Sequence, residues 1–155
     1  MSAFPAGAGA PVSPGPRPIA RILLATDLSS SSEGAADEAI QLARALKAEL
    51  LAVSVIGPVK ITAERQPERM DQRRAARELA AQALVMRGRR AGVQTSFLVW
   101  EGDPGPAIVD AANAEQADLV VIGTRGRNRI ERAVLGSVSD HVVRHARCPV
   151  LIVRS

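Results

Sequence analysis

Five short apolar runs, each separated from the next by a stretch of helical period, constrain this chain more than any other feature. "IARILLATD" (19–27), "ELLAVSVI" (49–56), "VQTSFLVW" (93–100), "ADLVVIG" (117–123) and "CPVLIVRS" (148–155) read as strands. Their apolar residues mostly run on without alternation, as in strands covered on both faces. Between them, "SSSSEGAADEAIQLARALKA" places Ala36, Ala39, Ile40, Ala43 and Leu46 at helical spacing behind serines that can cap. A longer helix is expected over 67–90, with Ala76, Leu79, Ala80, Ala83 and Leu84 inward and Arg69, Arg73, Arg74 and Arg77 mostly on the other side. "PAIVDAANAEQ" and "SVSDHVVRHA" supply two more helices, the first with proline in its opening turn, where a missing N–H costs little. Such alternation means βαβ units, hence an α/β fold: a single-domain, doubly wound, five-stranded parallel sheet with helices on both faces. Ligands in these folds sit at the carboxyl ends of the strands, where the strand order reverses. That rim would hold Asp27, Val55 to Gly57, Glu101 to Gly105 and the loop after Gly123.

The 46% hydrophobic content is ample for one core, but aromatics make up only 2%, so Ala, Val, Leu and Ile must build it. So few aromatics also argue against stacking platforms for single-stranded nucleic acid. The net charge of +4 and the isoelectric point near 10.5 come from arginines interleaved with Asp and Glu, the pattern of a solvated face rather than a nucleic-acid stripe. Cys148 is the single cysteine, excludes an internal disulfide, and reads as a packed thiol in a reducing compartment. No apolar run approaches the ~20 residues that span a bilayer. Residues 1–18, "MSAFPAGAGAPVSPGPRP", form a Pro/Gly/Ala-rich tail with neither a basic nor a continuous apolar signal region. The expectation is a cytoplasmic protein folded over 19–155.

The stretch "GTRGRNRIERAVLGS" (123–137) carries the chemistry. It joins the fourth strand to the last helix, whose N-terminus offers N–H groups and partial positive charge to an anion. Gly136 would let phosphate oxygens approach the backbone, and the Ser137 hydroxyl would add a bond. Gly123 and Gly126 would let the chain leave the strand with positive φ and fold over a ligand, while Arg125, Arg127 and Arg129 would screen charge. The alternative is that these glycines only turn and cap the chain. Neither Gly-Lys-Ser/Thr nor G-x-G-x-x-G occurs.

Gly123-x-x-Gly126, nine residues and then Gly136-Ser137 resemble the ATP-binding motif of the universal stress protein family. "ILLATDLS", "SVIG", "EGDPGPAIVDAA", "ADLVVIGTRGR" and "LGSVSDHVVRHARCPVLIV" extend the resemblance across most of 19–154. It implies an adenine nucleotide alpha hydrolase-like domain that binds ATP, with Mg²⁺ as the accompanying ion, and commonly dimerises. Asp27 would contact the ribose or adenine side and Val55 the adenine through its backbone. Gly123, Gly126, Gly136 and Ser137 would hold the phosphates, with Ser139 as a helper. From the residues alone, Asp27 has a second reading as a cap within "DLSS", and Val55 one as core.

No dedicated hydrolytic apparatus is legible, so ATP turnover would be slow at most. Asp140 reads as a dipole partner in the last helix, Asp103 as a turn or cap residue, and His141 with His145 as a solvated helix face. The implied function is an ATP-binding regulatory protein that responds to stress, dimerising through Val150 to Val153 and acting on an unidentified protein partner. Neither nucleic acid nor membrane is an expected partner. The competing reading is a nucleotide-independent dimeric interaction module that uses the arginine-rich face of 65–90.

Overall fold

In the computed structural model, Gly15 and residues 17–57, 66–124 and 136–154 are described. The apolar runs form β1 (Arg21–Ala25), β2 (Glu49–Ile56), β3 (Thr95–Glu101), β4 (Leu119–Gly123) and β5 (Val150–Val153). Between them lie α1 (Glu33–Leu46), α2 (Gln66–Arg90), α3 (Pro104–Ala114) and α4 (Ser137–His145), with a short 3-10 turn, Ser30–Ser32, leading into α1. All pairings are parallel, in the order β3-β2-β1-β4-β5. The expected doubly wound five-stranded sheet is therefore the observed one.

Alternate residues of the strands feed two core layers. Ile22, Leu24, Leu50, Ala52 and Val121 pack with Ala36, Ala39, Ile40 and Ala43 of α1 and Leu84 of α2. Leu23, Val53, Val120 and Ile122 pack with Ile108 and Ala111 of α3 and Val142 of α4. Each fully buried Leu, Ile or Val contributes about 1.5–3 kcal/mol, and burial on both faces explains why these strands lack polar alternation. Helices α1 and α2 thus cover one face, α3 and α4 the other.

Helix α1 buries Ala35, Ala36, Ala39, Ile40 and Ala43 as its spacing predicts, whereas Leu46 at its last turn is exposed. Lys47 ends it in the left-handed region (φ 54°, ψ 39°), donating its N–H to Ala43 O and Arg44 O. Helix α2 corrects the sequence reading. Ala76, Leu79, Ala80 and Ala83 are exposed, Leu79 by 70%, while Leu84 is buried as expected, in a line with Ala81, Val85 and Gly88. A Cβ at Gly88 would stand 2.1 Å from Thr95 Oγ1, so this glycine sets how closely the helix approaches β3. Carried back by helical steps of three and four, the buried line reaches Arg77, Arg74 and Arg73, which therefore face the domain.

Helix α3 begins with Asp103 at its N-cap position, without a capping bond from its side chain, and with Pro104 in its first turn. A Cβ at Gly105 would meet His141 Cγ at 2.9 Å, so a missing side chain seats α3 against α4. Strand β5 is a sheet edge and all four of its residues are partly exposed. Among the described residues, no helix is long and apolar enough to cross a membrane.

Candidate functional site

Strand order runs outward from β1 to β2 and β3, then resumes on the other side of β1 with β4 and β5. The chain leaves β1 toward α1 on one face and leaves β4 toward α4 on the other. Their carboxyl ends therefore bound a crevice of the kind that holds ligands in open α/β sheets.

Asp27 stands on the β1 side of this crevice. Its Oδ1 accepts the Ser29 N–H at 2.9 Å and the Ser29 hydroxyl at 2.6 Å, closing a local turn, whereas the cap positions ahead of α1 are held by Ser29 and Ser32 and not by Asp27 as the cap reading expects. The next residue, Leu28, lies in the left-handed region (φ 63°) and donates its N–H to Thr26 Oγ1 at 3.0 Å. A non-glycine residue there costs about 1–2 kcal/mol, so surrounding bonds must hold the turn. Ser32 extends them, its hydroxyl bonding both Thr26 Oγ1 and Ser29 O.

Val55 lies near the end of β2, which outruns β1. The β1–β2 register stops at Ala25↔Val53, while β2 continues opposite β3 to Ile56↔Glu101. Val53 O accepts from Thr26 N on the β1 side and Ile56 O from Gly102 N on the β3 side. Backbone groups alternate sides along a parallel strand. The N–H and C=O of Val55 therefore point past the end of β1, across the crevice. The Val55 side chain packs against the α3–α4 core layer, so its two sequence readings are compatible.

On the β4 side, Gly123 is paired with Val153 as the last strand residue. Its expected positive φ is not found: the described glycines with positive φ are Gly92 and Gly102. Gly126 and the arginines at 125, 127 and 129 lie outside the described residues. Gly136 is the N-cap of α4 with φ −61° and ψ 161°, a conformation open to any residue. A Cβ added to it would lie 3.6 Å from Thr124 O and 3.7 Å from Ser139 Oγ, so the chain returns after 125–135 beside its point of departure.

The first bond of α4 runs from Asp140 N–H to Gly136 O at 2.9 Å. The N–H groups of Ser137, Val138 and Ser139 thus have no acceptor within the helix and carry its positive end. Ser137 is exposed, whereas Ser139 is 2% exposed and donates its hydroxyl to Gly136 O at 3.0 Å. In this structure Ser139 therefore braces the first turn of α4. Asp140 sits in that turn, as the dipole reading expects, and pairs with Arg144 at 3.0 Å. His141 and His145 stack with ring centroids 4.1 Å apart, and among the described residues no three His, Cys, Asp or Glu converge. Burial pushes the Cys148 thiol above its ordinary value of 9.0, in keeping with a packed thiol.

Arg77 is the residue the sequence reading missed. Its Nη1 donates to Asp27 O at 3.0 Å and to Ser54 Oγ at 2.6 Å, joining α2 to the ends of both β1 and β2. Arg73 donates to Gly57 O at 3.0 Å, and Arg74 pairs with Glu101. Farther along, Arg87 pairs with Glu33 and Asp37. These four arginines engage their own domain, which leaves the interaction-module reading with less free cationic surface than the composition suggested.

Comparison with known proteins places the chain. Residues 18–154 match the family model described as the universal stress protein family. A universal stress protein of Methanocaldococcus jannaschii is 36% identical over 140 residues, covering 86% of this chain and 81% of its own. Universal stress protein UspA from Lactobacillus plantarum superposes with a TM-score of 0.77 at 27% identity, over 89% of this chain and 99% of that one. A universal stress protein solved in complex with cAMP superposes with a TM-score of 0.70 at 28% identity, over 88% and 98% of the two chains. This chain belongs to the universal stress protein family.

Proposed function

We propose that this universal stress protein binds an adenine nucleotide, ATP in the first instance, in the crevice between β1 and β4, and acts as a nucleotide-responsive regulator. The observation that carries the reading is the convergence of three different recognition elements on one rim. The Val55 backbone points past the end of β1 and would read the adenine edge. The carboxylate of Asp27 stands at the end of the first strand, where ribose hydroxyls are bound in comparable folds. The N-terminus of α4, with Gly136 and Ser137, would receive the phosphates. Gly123 and Gly126 would complete the phosphate side, and Ser139 would act indirectly by bracing Gly136. A relative solved with cAMP supports an adenine-bearing ligand.

Mg²⁺ would be carried chiefly on the triphosphate, as this ion is in sites that supply few protein ligands. Turnover would be slow. Phosphoryl transfer needs a positioned base, yet Asp27 Oδ1 is held by Ser29, Asp140 pairs with Arg144, and Asp103 is an exposed cap residue. Bound nucleotide would instead bias conformation or partner choice in a cytoplasmic homodimer formed through the edge strand β5.

The test is calorimetry of ATP, AMP and cAMP against nucleotide-stripped protein with Mg²⁺, beside a Gly126→Val/Ser137→Ala variant. Saturable binding that disappears in the folded variant is the expected result. Absence of heat for the wild type up to millimolar nucleotide would refute the proposal.

A further inference from the structure

We infer that Arg77 is a positioning residue for the adenosine side of this site, holding the Asp27 turn and the end of β2 in register with each other. The inference rests on the nucleotide reading and extends it to a residue of α2.

No residue of α2 from 68 to 80 is buried, so apolar packing does not fix this half of the helix. What fastens it is a row of guanidinium groups at the sheet's carboxyl edge. Arg73 bonds Gly57 O beyond β2, Arg74 pairs with Glu101 at the end of β3, and Arg77 reaches Asp27 O and Ser54 Oγ. Arg77 alone among these three spans two strands, β1 and β2. Ser54 is 3% exposed and precedes Val55, so the same guanidinium touches the neighbour of the adenine-reading backbone and the carbonyl of the ribose-reading residue.

The Asp27 turn has reason to need such a fastener. Leu28 is held with positive φ, a conformation that persists only when its surroundings over-determine it. Thr26 Oγ1 restrains the Leu28 N–H and Asp27 Oδ1 restrains Ser29. Both bonds are internal to the turn, whose first residue is tied to β2 through Thr26 N–H and Val53 O. The Arg77 bond to Asp27 O comes from a different element and adds a tie to β2 one residue farther into the turn. Because Arg77 reaches the backbone carbonyl of Asp27 and the Ser54 side chain, it acts on the site through position.

The experiment compares Arg77→Met, which keeps the aliphatic stem and removes the donors, with Asp27→Ala, Ser137→Ala and the paired variants. Arg77→Met is expected to weaken ATP and plain adenosine by the same factor, on the order of tenfold, because the defect lies on the adenosine side. Added to Asp27→Ala it should cause little further loss, while with Ser137→Ala the losses should multiply. Arg77→Lys should recover part of the affinity. In nucleotide-free protein, hydrogen exchange at the Leu28 and Ser29 amides should accelerate in Arg77→Met with helix content unchanged. Wild-type affinity in Arg77→Met, or losses that multiply with Asp27→Ala beside unchanged exchange at Leu28 and Ser29, would overturn the inference. If the wild type bound no adenine nucleotide, the functional reading would fall with the ligand half of this inference, and the exchange result would decide the positioning half.

Discussion

Gly136→Ala separates a glycine kept for a ligand from one kept for the fold. Gly136 has φ −61° and ψ 161°, so alanine meets no backbone penalty. The added methyl would sit 3.6 Å from Thr124 O and 3.7 Å from Ser139 Oγ, which is ordinary contact. Two small terms remain for the free protein. Alanine is a poorer N-cap than glycine, costing about 0.5–1 kcal/mol, and it stiffens the unfolded chain, returning about 0.4–1 kcal/mol. They nearly cancel, so the melting temperature should move by no more than about 2–4 °C. Nucleotide binding should respond differently, because the methyl enters the space where phosphate oxygens approach the helix N-terminus. A tenfold or greater loss of ATP affinity is expected, equivalent to about 1.4 kcal/mol, with adenosine affinity nearly unchanged. Thermal melts and calorimetry on the same preparation read both quantities. A melting temperature lowered by far more than 4 °C would refute the geometric argument, and wild-type ATP affinity would refute the phosphate assignment.

Gly105→Ala should behave in the opposite way: its methyl would lie 2.9 Å from His141 Cγ and 3.0 Å from His141 Cβ. These atoms are too near the α4 backbone to swing aside, so a loss of about 1–3 kcal/mol is expected, read as a lower denaturant midpoint at unchanged slope. Lys47→Gly should raise stability by about 0.5 kcal/mol, because relief of the left-handed strain exceeds the added unfolded-state entropy; an unchanged or lower melting temperature would contradict this. Cys148, with its thiol held above the ordinary 9.0, should alkylate at pH 8 at least several-fold more slowly in native protein than in denaturant. Because the folded value exceeds the unfolded one, stability from this group is full below about pH 9 and declines as pH rises through the folded value.

The sheet was legible because its strands are buried on both faces and leave continuous apolar runs. Strand β2 matches its expected limits of 49 and 56 residue for residue, and the others differ mainly by shorter ends at turns. The rim was legible for the same reason, since strands joined in βαβ units all end on one side of the sheet, which places Asp27, Val55 and Gly123 there without reference to side chains. Their local geometry was not legible. Nothing in "ATDLSS" announces that Leu28 takes a positive φ, because leucine has no preference for it and the positive φ accompanies a network of side-chain bonds from Thr26, Asp27, Ser29 and Ser32. The positive φ expected of Gly123 failed on similar grounds: a glycine after an apolar run can turn the chain or end the strand, and here it ends the strand, paired with Val153.

Helix α2 was misread because alanine is uninformative about burial. Ala76, Ala80 and Ala83 form one helical stripe and Ala81, Leu84, Val85 and Gly88 another, and in an alanine-rich helix both look apolar. Arginine tips the comparison the wrong way when its charge is taken to mark the solvent side. Its long stem and fan of donors suit it equally to a helix lying over strand ends, where terminal carbonyls have lost their ladder partners. Gly57 O and Asp27 O are such carbonyls, and Arg73 and Arg77 take them. The informative pattern was the register of the charges: Arg73, Arg74 and Arg77 continue the Ala81–Leu84–Gly88 line toward the rim. A basic row that prolongs a buried stripe toward the carboxyl edge of a parallel sheet is better read as a fastening than as a surface. On that reading the arginine excess of this chain is partly internal structure.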